Sequence, residues 1–501
     1  MTSVVHSGIG KRRFGLRQKL WHRLAGLALI VTYNDDTASR LHYLVHQQGT
    51  AFTSLTYDYY ADGNRKSLST CQSTLPCTPG VDKTESYQYD SLNRLTRVDY
   101  SNDLTFSAYE YDPNGNRTLL DANNSIKQYD YNAADELTEI GSTQVLHDDN
   151  GNVQQHQGRT YAYDHEKRLT PALISDFDPA PNSCHDLFGG GTINTTDVLQ
   201  LRPVFGTSVP PTSAFFDLFP SGNINTTDVL QLRPQFGQTC PVYSAYDGDG
   251  LRTANWTGKY YTTYEWDVAA GLPVVLQETT REIHNNGDIP DDISDVVTSD
   301  ISYVYGLALI SSTDASGDQR YYFTDGLGST VLQVDGSGQN LNPEAFWEYN
   351  AFGSIRASGG NSDSFLFTGQ QFDADTPAPE GQKGLYYLRA RYYDPSLGRF
   401  LSRDPLQGSF THPQTQNAYA CALNNPTNRD DPTGRASESI DCNSIAGFGD
   451  CFYDCACGFD LGSIGNAIAC GVVIAFAVYT CAACRKLLRR GSLLPAVYLH
   501  A

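Results

Sequence analysis

One short string recurs through the first half of the chain and constrains its fold more than any other feature. Tyrosine alternates with another residue and leads into an Asp or Asn turn, as in YQYDSLNRLTRV (87–98), YEYDPNGNRTLL (109–120), YDYNAADELTEI (129–140) and YAYDHEKRLTPA (161–172). A period of two places the rings on one face of a strand. The Asn or Gly after the turn-starting residue tolerates a positive φ. The pattern therefore predicts short antiparallel strands joined by hairpins.

The second half of the chain carries further strings of this kind. They are YVYGLALISSTD (303–314), YYFTDGLGSTVLQVDGSG (321–338), WEYNAFGSIRASG (347–359) and YYLRARYYDPSLGRFLSRDP (386–405). Together with the repeats, they resemble the RHS/YD-repeat family and its RHS-associated core, over roughly residues 50–170 and 241–434. The resemblance implies a mainly β fold, a sheet of hairpins wound into a complete or partial hollow shell. Such winding leaves few strand edges free for aberrant pairing.

These patterns divide the chain into six segments. In order, they are 1–50, a leader or truncated start; 51–170, YD repeats; 182–241, an insertion; 242–364, further repeats; 365–434, the RHS-associated core; and 435–501, a variable cysteine-rich tail. The formal net charge of −21 argues against non-specific nucleic-acid binding, so no nucleic-acid partner is predicted. No nuclease or deaminase signature is present in the sequence.

The insertion contains a near-perfect duplication. DLFGGGTINTTDVLQLRPVFG (186–206) and DLFPSGNINTTDVLQLRPQFG (217–237) each give a twelve-residue loop and a short amphipathic helix. The pair resembles a dockerin-like module of two half-EF-hands, which implies calcium and a docking protein as partners. The candidate metal ligands are Asp186, Asn194, Asp197, Asp217, Ser221, Asn225 and Asp228. Phe188 and Phe219 occupy a loop position where calcium needs an oxygen, so a metal-free pair of helices stays open.

Cysteine usage indicates the compartment. The twelve cysteines come without the histidines of a typical zinc site, which favours disulfides in an extracellular or cell-surface protein. The candidate disulfide cysteines are Cys71 and Cys77, which lie close in sequence, and Cys184 and Cys240, which flank the insertion and would clasp its base if joined.

The tail allows three interpretations. Residues 461–484 carry no charge over a length that can span a bilayer, and RKLLRR after them would then be cytoplasmic. The position of the tail in the resembling family implies a variable, toxin-like effector, for which an immunity protein is an expected partner. A simple membrane anchor and an apolar core packed inside the shell are the other two interpretations.

The core contains the one arrangement that suggests chemistry. In the RHS cores that this chain resembles, a D-P-x-G string marks where the chain cuts itself, with an Arg and two Asp residues carrying the step. The matching residues are Arg391, Asp404 and Asp431, and the matching bond is Gly434–Arg435. Two carboxylates held together cannot both ionise easily, so one activates water while the protonated one polarises the scissile carbonyl.

Two departures keep an alternative open. The segment between the aspartates is about four residues longer than the family pattern, and Arg435 stands where an apolar Leu is expected. In the alternative, Asp404 and Asp431 only start Asp-Pro turns and Arg391 makes a structural ion pair. The sequence thus predicts a secreted or cell-surface shell that carries and releases an effector. The other hypothesis is a non-catalytic, membrane-anchored scaffold that binds protein or carbohydrate through its repeats or its insertion.

Overall fold

The secondary structure is almost entirely β. The structure, a computed structural model, describes residues 17–435 except 25–26, 39, 49–50, 73–82, 157–158, 175–241, 258–259, 270–271, 283–295, 307, 338, 361–362, 378–382 and 411. Within these residues the helical elements are three short 3₁₀ turns, Phe367–Gly369, Pro413–Gln416 and Ala422–Asn424. The mainly β fold predicted from the repeats is confirmed.

Fifteen strands precede the insertion in the part of the chain that the structure describes. They are β1 (Arg17–Leu24), β2 (Leu27–Asp35), β3 (Leu41–Gln48), β4 (Ala51–Tyr59), β5 (Arg65–Gln72), β6 (Lys83–Tyr89), β7 (Leu95–Tyr100), β8 (Thr105–Tyr111), β9 (Arg117–Ala122), β10 (Ser125–Tyr131), β11 (Leu137–Ile140), β12 (Thr143–His147), β13 (Val153–His156), β14 (Arg159–Tyr163) and β15 (Leu169–Ile174). Strands β1 to β3 fall in the segment predicted as a leader or truncated start, and β2 pairs with both of its neighbours.

Fourteen strands follow the insertion among the described residues up to Arg435. They are β16 (Val242–Tyr246), β17 (Arg252–Thr257), β18 (Tyr260–Asp267), β19 (Val274–Glu282), β20 (Val296–Tyr305), β21 (Leu309–Asp314), β22 (Gln319–Thr324), β23 (Thr330–Asp335), β24 (Asn340–Tyr349), β25 (Ile355–Gly359), β26 (Gln371–Pro377), β27 (Lys383–Leu388), β28 (Arg391–Asp394) and β29 (Arg399–Phe400). Strands β1 to β25 form one sheet, the wall, and β26 to β29 form a second, the core sheet.

The wall is a meander in which each strand pairs antiparallel with the next. This order continues across the insertion, because β15 pairs directly with β16, with Pro171 opposite Tyr243 and Ala172 opposite Val242. The insertion therefore leaves the strand order of the wall unchanged. Residues 182–241, with the predicted dockerin-like helices, lie outside the described residues, as does the predicted apolar tail beyond Arg435.

The aspartate after each tyrosine closes a hairpin turn. After β6, the N–H of Asp90 donates to the Arg94 carbonyl, and the N–H of Asn93 donates back to the Asp90 carbonyl, both at 3.0 Å. The Asp90 carboxylate accepts the N–H groups of Leu92 and Arg94 at 2.9 Å. Asn93 has a φ of +61°, the left-handed region that Asn tolerates. The D-x-x-N/G string thus encodes a complete turn.

The two tyrosines of a repeat have different roles. The first ring is buried inside the wall; Tyr57, Tyr87, Tyr109, Tyr129 and Tyr161 are at most 4% exposed. The second donates its hydroxyl to a main-chain carbonyl of the preceding hairpin, as Tyr89 does to Arg65 (2.8 Å) and Tyr111 to Leu95 (2.7 Å). One tyrosine therefore fills the interior while the other ties adjacent hairpins together.

The wall curls so that strands far apart in sequence share one interior. An apolar cluster joins Leu44 and Tyr57 of β3 and β4 with Phe323 and Leu332 of β22 and β23. The Tyr57 hydroxyl also accepts the N–H of Gly326 at 2.7 Å. Contacts between such distant repeats are what the wound sheet predicted from the sequence requires.

The core sheet packs against the wall in a second apolar cluster and is held there by two buried wall arginines. Arg117 donates to the carbonyls of Ser396 (2.9 Å) and Leu397, and Arg252 pairs with the carboxylate of Asp373. Both guanidinium-bearing residues are at most 6% exposed. Since a buried charge without a partner costs several kcal/mol, about 3–5 when one partner is removed, these contacts fix the core relative to the wall.

Candidate active site

The predicted cleavage segment folds as a turn like those of the wall. The N–H of Gly434 donates to the Asp431 carbonyl (3.3 Å), and the N–H of Arg435 donates to Oδ1 of Asp431 (3.2 Å). Gly434 has a φ of +64°, and a Cβ there would overlap the Leu388 carbonyl oxygen, so the position requires glycine. Asp431 and Gly434 are buried, whereas Arg435 is exposed.

Arg391, the first residue of β28, reaches every group predicted to take part in cleavage. Its Nη2 lies 2.8 Å from Oδ2 of Asp404 and 3.5 Å from Oδ2 of Asp431. Its Nε donates to the Gly434 carbonyl oxygen, and its Nη1 donates to the Ala418 carbonyl oxygen at 2.9 Å. The structure thus brings together the three residues predicted from sequence and the bond predicted to break.

Burial sets the electrostatics of these three residues. Arg391 and Asp431 are 3% exposed and Asp404 is 8% exposed. Burial lowers the pKa of Arg391, although the two carboxylates oppose that shift, and the guanidinium remains charged. Burial also raises the pKa of Asp404, against the opposing charge of Arg391. Asp404 therefore binds a proton more readily than an exposed aspartate does.

Sequence reasoning missed two features that support Arg391. The Phe400 ring lies under the guanidinium, with its centroid 3.6 Å from Cζ. The Ala418 carbonyl accepts from Arg391 and also from the N–H of Asp404 (2.9 Å), so one main-chain oxygen locates both residues. Phe400 stands four residues before Asp404 in the quoted motif, which is the only signal that the sequence offers for it.

The longer segment between the aspartates does not separate them, because its asparagines are bonded to the turns of the wall. Asn417 donates to Oδ1 of Asn116 (2.8 Å), and Asn425 donates to Oδ1 of Asn64 (3.0 Å). Asn424 donates to the Gly115 carbonyl (2.8 Å). The segment therefore lies along the hairpin turns of the wall, and its second aspartate is brought back to Arg391.

One contact differs from the mechanism inferred from sequence. The sequence-based mechanism places a protonated carboxyl on the scissile carbonyl, but Nε of Arg391 occupies that position. A cationic donor suits this oxygen, which gains negative charge when the carbon is attacked.

Cys421 is the one described free cysteine, and burial, with the charge of Asp431, raises the pKa of its thiol. It therefore lacks the thiolate that a cysteine nucleophile needs.

The remaining predicted site residues lie mostly outside the described residues. These are Cys77, Cys184, Cys240 and the candidate calcium ligands Asp186, Asn194, Asp197, Asp217, Ser221, Asn225 and Asp228. Cys71 is disulfide-bonded. Within the part of the chain that the structure describes, no cluster of His, Cys, Asp and Glu could hold a metal ion, and no helix is long and apolar enough to cross a membrane. Residues 461–484 lie beyond that part.

Comparison with known proteins agrees with the fold and the repeats. The Teneurin YD-shell family model matches residues 40–176. This match covers the four tyrosine-containing repeats between residues 87 and 172. The tRNA3(Ser)-specific nuclease WapA of Bacillus spizizenii is 28% identical over 356 residues, which cover 69% of this chain and 12% of that protein. Toxin subunit YenC1 of Yersinia entomophaga is 34% identical over 128 residues, 25% of this chain and 12% of that one. The chain thus spans about an eighth of the length of these two relatives.

A solved structure shows the same fold. The Photorhabdus luminescens Tc holotoxin pore matches 84% of this chain and 18% of the compared chain, with a TM-score of 0.54 and 17% sequence identity. At that identity the similarity concerns the fold alone. It agrees with a large antiparallel sheet wound around an interior.

Proposed function

We propose that this chain is a secreted or cell-surface RHS-type shell that cuts itself between Gly434 and Arg435, releasing residues 435–501 as a toxin-like effector. One observation carries the proposal: the Gly434–Arg435 peptide bond is held at both ends. Nε of Arg391 donates to its oxygen, and Oδ1 of Asp431 accepts from its nitrogen. If Arg391 only formed a structural ion pair with the aspartates, neither contact with the peptide bond would be required.

The proposed reaction is hydrolysis by a pair of carboxyl groups. Ionised Asp404 takes a proton from a water molecule while the water oxygen bonds to the carbonyl carbon of Gly434. Arg391 stabilises the charge that develops on the carbonyl oxygen. Asp404 passes the proton to Asp431, and the C–N bond breaks as Asp431 gives that proton to the nitrogen of Arg435. Asp431 can deliver it, because its Oδ1 lies 3.2 Å from that nitrogen. The products are a carboxyl group on Gly434 and an amino group on Arg435.

The surroundings favour this chemistry. Oδ2 of Asp404 and Oδ2 of Asp431 lie 2.8 and 3.5 Å from the same atom, Nη2 of Arg391, so the two carboxyl groups are close together. The site is nearly closed to solvent, and charged hydrogen bonds are stronger where bulk water is excluded. The raised pKa of Asp404 makes it a stronger base than an exposed aspartate.

The names of the relatives support a toxin-like role for the released segment. One matched protein is a tRNA-specific nuclease and another is a toxin subunit. We infer an extracellular or cell-surface location, and an immunity protein as a partner of residues 435–501. A docking protein and calcium for residues 182–241, and carbohydrate as a ligand of the repeats, are further proposals that rest on sequence.

A time course of cell-free synthesis followed by mass spectrometry tests self-cleavage. We expect wild type to yield a fragment that begins at Arg435, and Asp404→Asn to stay intact. Asp394→Asn is the matched control, since Asp394 is a buried aspartate of another core Asp-Pro turn, where its Oδ1 accepts the N–H of Ser396 at 2.8 Å. It should cut like wild type.

Two other outcomes decide against the proposal. An intact chain from both wild type and Asp404→Asn removes self-cleavage. If that intact chain also sediments with membranes, the scaffold interpretation replaces the shell that releases an effector.

A further inference from the structure

The tight turn between β27 and β28 holds the cleavage segment residue by residue. Nη1 of Arg389 donates to the carbonyl of Pro432, and the N–H of Ala390 donates to the carbonyl of Thr433 at 3.2 Å. Nε of Arg391 donates to the carbonyl of Gly434. Three successive residues thus donate to three successive carbonyls, and each carbonyl belongs to the residue 43 positions later in the sequence.

Arg389 is the member of this set that also reaches the wall. Its Nε and Nη2 donate to the carbonyl oxygen of Pro273 at 2.9 and 2.7 Å, and its Nη1 lies 2.8 Å from Oε1 of Gln370. Pro273 immediately precedes wall strand β19, and Gln370 immediately precedes core strand β26. The rigid fork of a guanidinium can bind several acceptors in a fixed arrangement. One side chain therefore joins the wall, the core and the cleavage segment.

The backbone of Arg389 is itself in an unusual conformation. Its φ is +54°, in the left-handed region that residues other than Gly, Asn and Asp seldom adopt. Such conformations persist where the surrounding contacts determine them. Leu388 and Arg391 pair across β27 and β28, so Arg389 is the first residue of a two-residue hairpin loop, a position that takes a positive φ.

We propose that Arg389 is a positioning residue that makes cleavage conditional on closure of the wall. The inference rests on the proposed self-cleavage and adds its regulation. Until the wall brings Pro273 to the core, the guanidinium lacks two of its hydrogen bonds and the Pro432 carbonyl is not held in place. Gly434 then shifts relative to Arg391, and a displacement of about 1 Å can slow an enzymatic step about 100-fold. The effector is therefore released only after β18 and β19 have folded onto the core.

Substitution of Arg389 gives the first test. We expect Arg389→Ala to slow release of residues 435–501 about 100-fold, with the pH dependence unchanged because Asp404 is intact. Added guanidinium ion should restore part of the rate, and Arg389→Lys should retain part of it. Arg97→Ala is the control, since Arg97 pairs with Asp99 of its own wall strand at 2.7 Å. An equal loss of rate in Arg97→Ala would overturn the proposal.

A pair of equal truncations tests the dependence on the wall. Val275 in β19 is 1% exposed and lies two residues from Pro273, while Val98 in β7 is 0% exposed and belongs to a different cluster. Both lose the same atoms on substitution by alanine. We expect Val275→Ala to slow cleavage about tenfold and Val98→Ala to leave the rate unchanged. Equal rates in the two variants would contradict conditional release.

A measurement without cleavage separates this proposal from the proposed function. In an Asp404→Asn background, amide hydrogen exchange at Arg435 reports whether the cleavage segment is held in place. Adding Arg389→Ala should accelerate that exchange about tenfold or more while leaving exchange in β27 unchanged. If wild type never cuts, self-cleavage fails, and this experiment still decides whether Arg389 positions the segment. Unchanged exchange at Arg435 would overturn the positioning role.

Discussion

Two turns of this chain share a sequence pattern and a set of hydrogen bonds. The wall turn at residues 112–116 reads DPNGN, and the core turn at 431–435 reads DPTGR. Gly115 and Gly434 have φ values of +88° and +64°, and each donates its N–H to the carbonyl of the turn's aspartate, at 3.1 and 3.3 Å. In each turn the aspartate Oδ1 accepts the N–H four residues later, at 2.8 and 3.2 Å.

The difference lies in what contacts each turn. A neutral amide, Nδ2 of Asn424, donates to the Gly115 carbonyl, whereas the cationic Nε of Arg391 donates to the Gly434 carbonyl. The second carboxylate oxygen of Asp112 accepts from Asn116 of its own turn (2.9 Å), while that of Asp431 faces a guanidinium that also binds another carboxylate. The D-P-x-G turn is thus a structural unit of the repeats, and the added Arg and Asp are what could make one copy reactive.

Replacing the aspartate of each turn should separate the two turns most clearly. Asparagine keeps the Oδ1 acceptor, so either turn can persist, but it cannot accept and return a proton. We expect Asp431→Asn to slow release of residues 435–501 about 1000-fold, within the range for loss of a general acid–base group. Asp112→Asn should cleave at the wild-type rate. Fragment yield over time, measured by mass spectrometry, compares the two variants.

An equal loss of cleavage in both variants would contradict this distinction. It would mean that the shape of the wall, and not the Asp431 carboxyl, limits cleavage. Thermal unfolding of each variant provides the control, because a loss of activity that follows a loss of stability has no bearing on the chemistry.

Adding one methyl group to each glycine should give the next largest difference. Both glycines have positive φ, so alanine costs about 1–2 kcal/mol of stability in either turn. A Cβ on Gly115 would only touch Nδ2 of Asn424 at 3.4 Å, whereas one on Gly434 would overlap the Leu388 carbonyl oxygen. We expect Gly434→Ala to slow cleavage about 100-fold through displacement of the scissile bond.

Gly115→Ala should lose only stability. Fragment yield and the midpoint of urea unfolding, measured on the same samples, separate the two effects. Matching rates for the two alanine variants would show that the close approach to Leu388 is unimportant for cleavage.

In the wall, the arginine that follows the turn has different contacts in different repeats. The string DSLNRL places Arg94 at the last turn position, where it pairs with Asp90 (2.7 Å), and buries Leu95 one residue later. The string DPNGNR shifts the arginine by one residue, so Arg117 occupies the buried position and reaches the core. Hairpins and turns could be predicted from sequence because both depend on local chemistry. The reach of Arg117 could not, since its acceptors lie 279 and 280 residues away.

At the candidate active site, the sequence likewise predicted which residues take part but not all of their contacts. Arg391, Asp404, Asp431 and the bond after Gly434 could be taken from a motif resemblance, and the structure places them together. The resemblance did not indicate which group contacts the scissile oxygen, because that depends on how β28 lies against a segment 43 residues later. The match between DPTGR and DPNGN was visible in the sequence and would have predicted the turn.

The pH dependence of cleavage should be intermediate in size. Burial raises the pKa of Asp404, and the proposed base is the ionised form. The rate should therefore fall as pH drops through that raised pKa, by about tenfold per pH unit below it. Because the pKa of Asp404 is higher in the folded state, its protonation stabilises the folded protein at low pH. This stabilisation is lost as pH rises through the folded-state pKa, so Asp404 does not promote acid unfolding. Cleavage rates and near-UV circular dichroism over one pH series test this, and a rate that rises in acid would contradict Asp404 as the base.

The smallest effect should come from making the core turn end like the wall turn. Arg435 is exposed, and its charge, with that of Arg391, opposes the burial that raises the pKa of Asp404. Arg435→Asn should therefore change the neutral-pH rate by about threefold or less, because exposed charges contribute little. It should also move the pH profile of cleavage to slightly higher pH, while Arg435→Lys should leave the profile in place. A large loss of rate in Arg435→Asn, with the profile unmoved, would show that this side chain positions the bond, and the two turns would then differ in sequence as well as in surroundings.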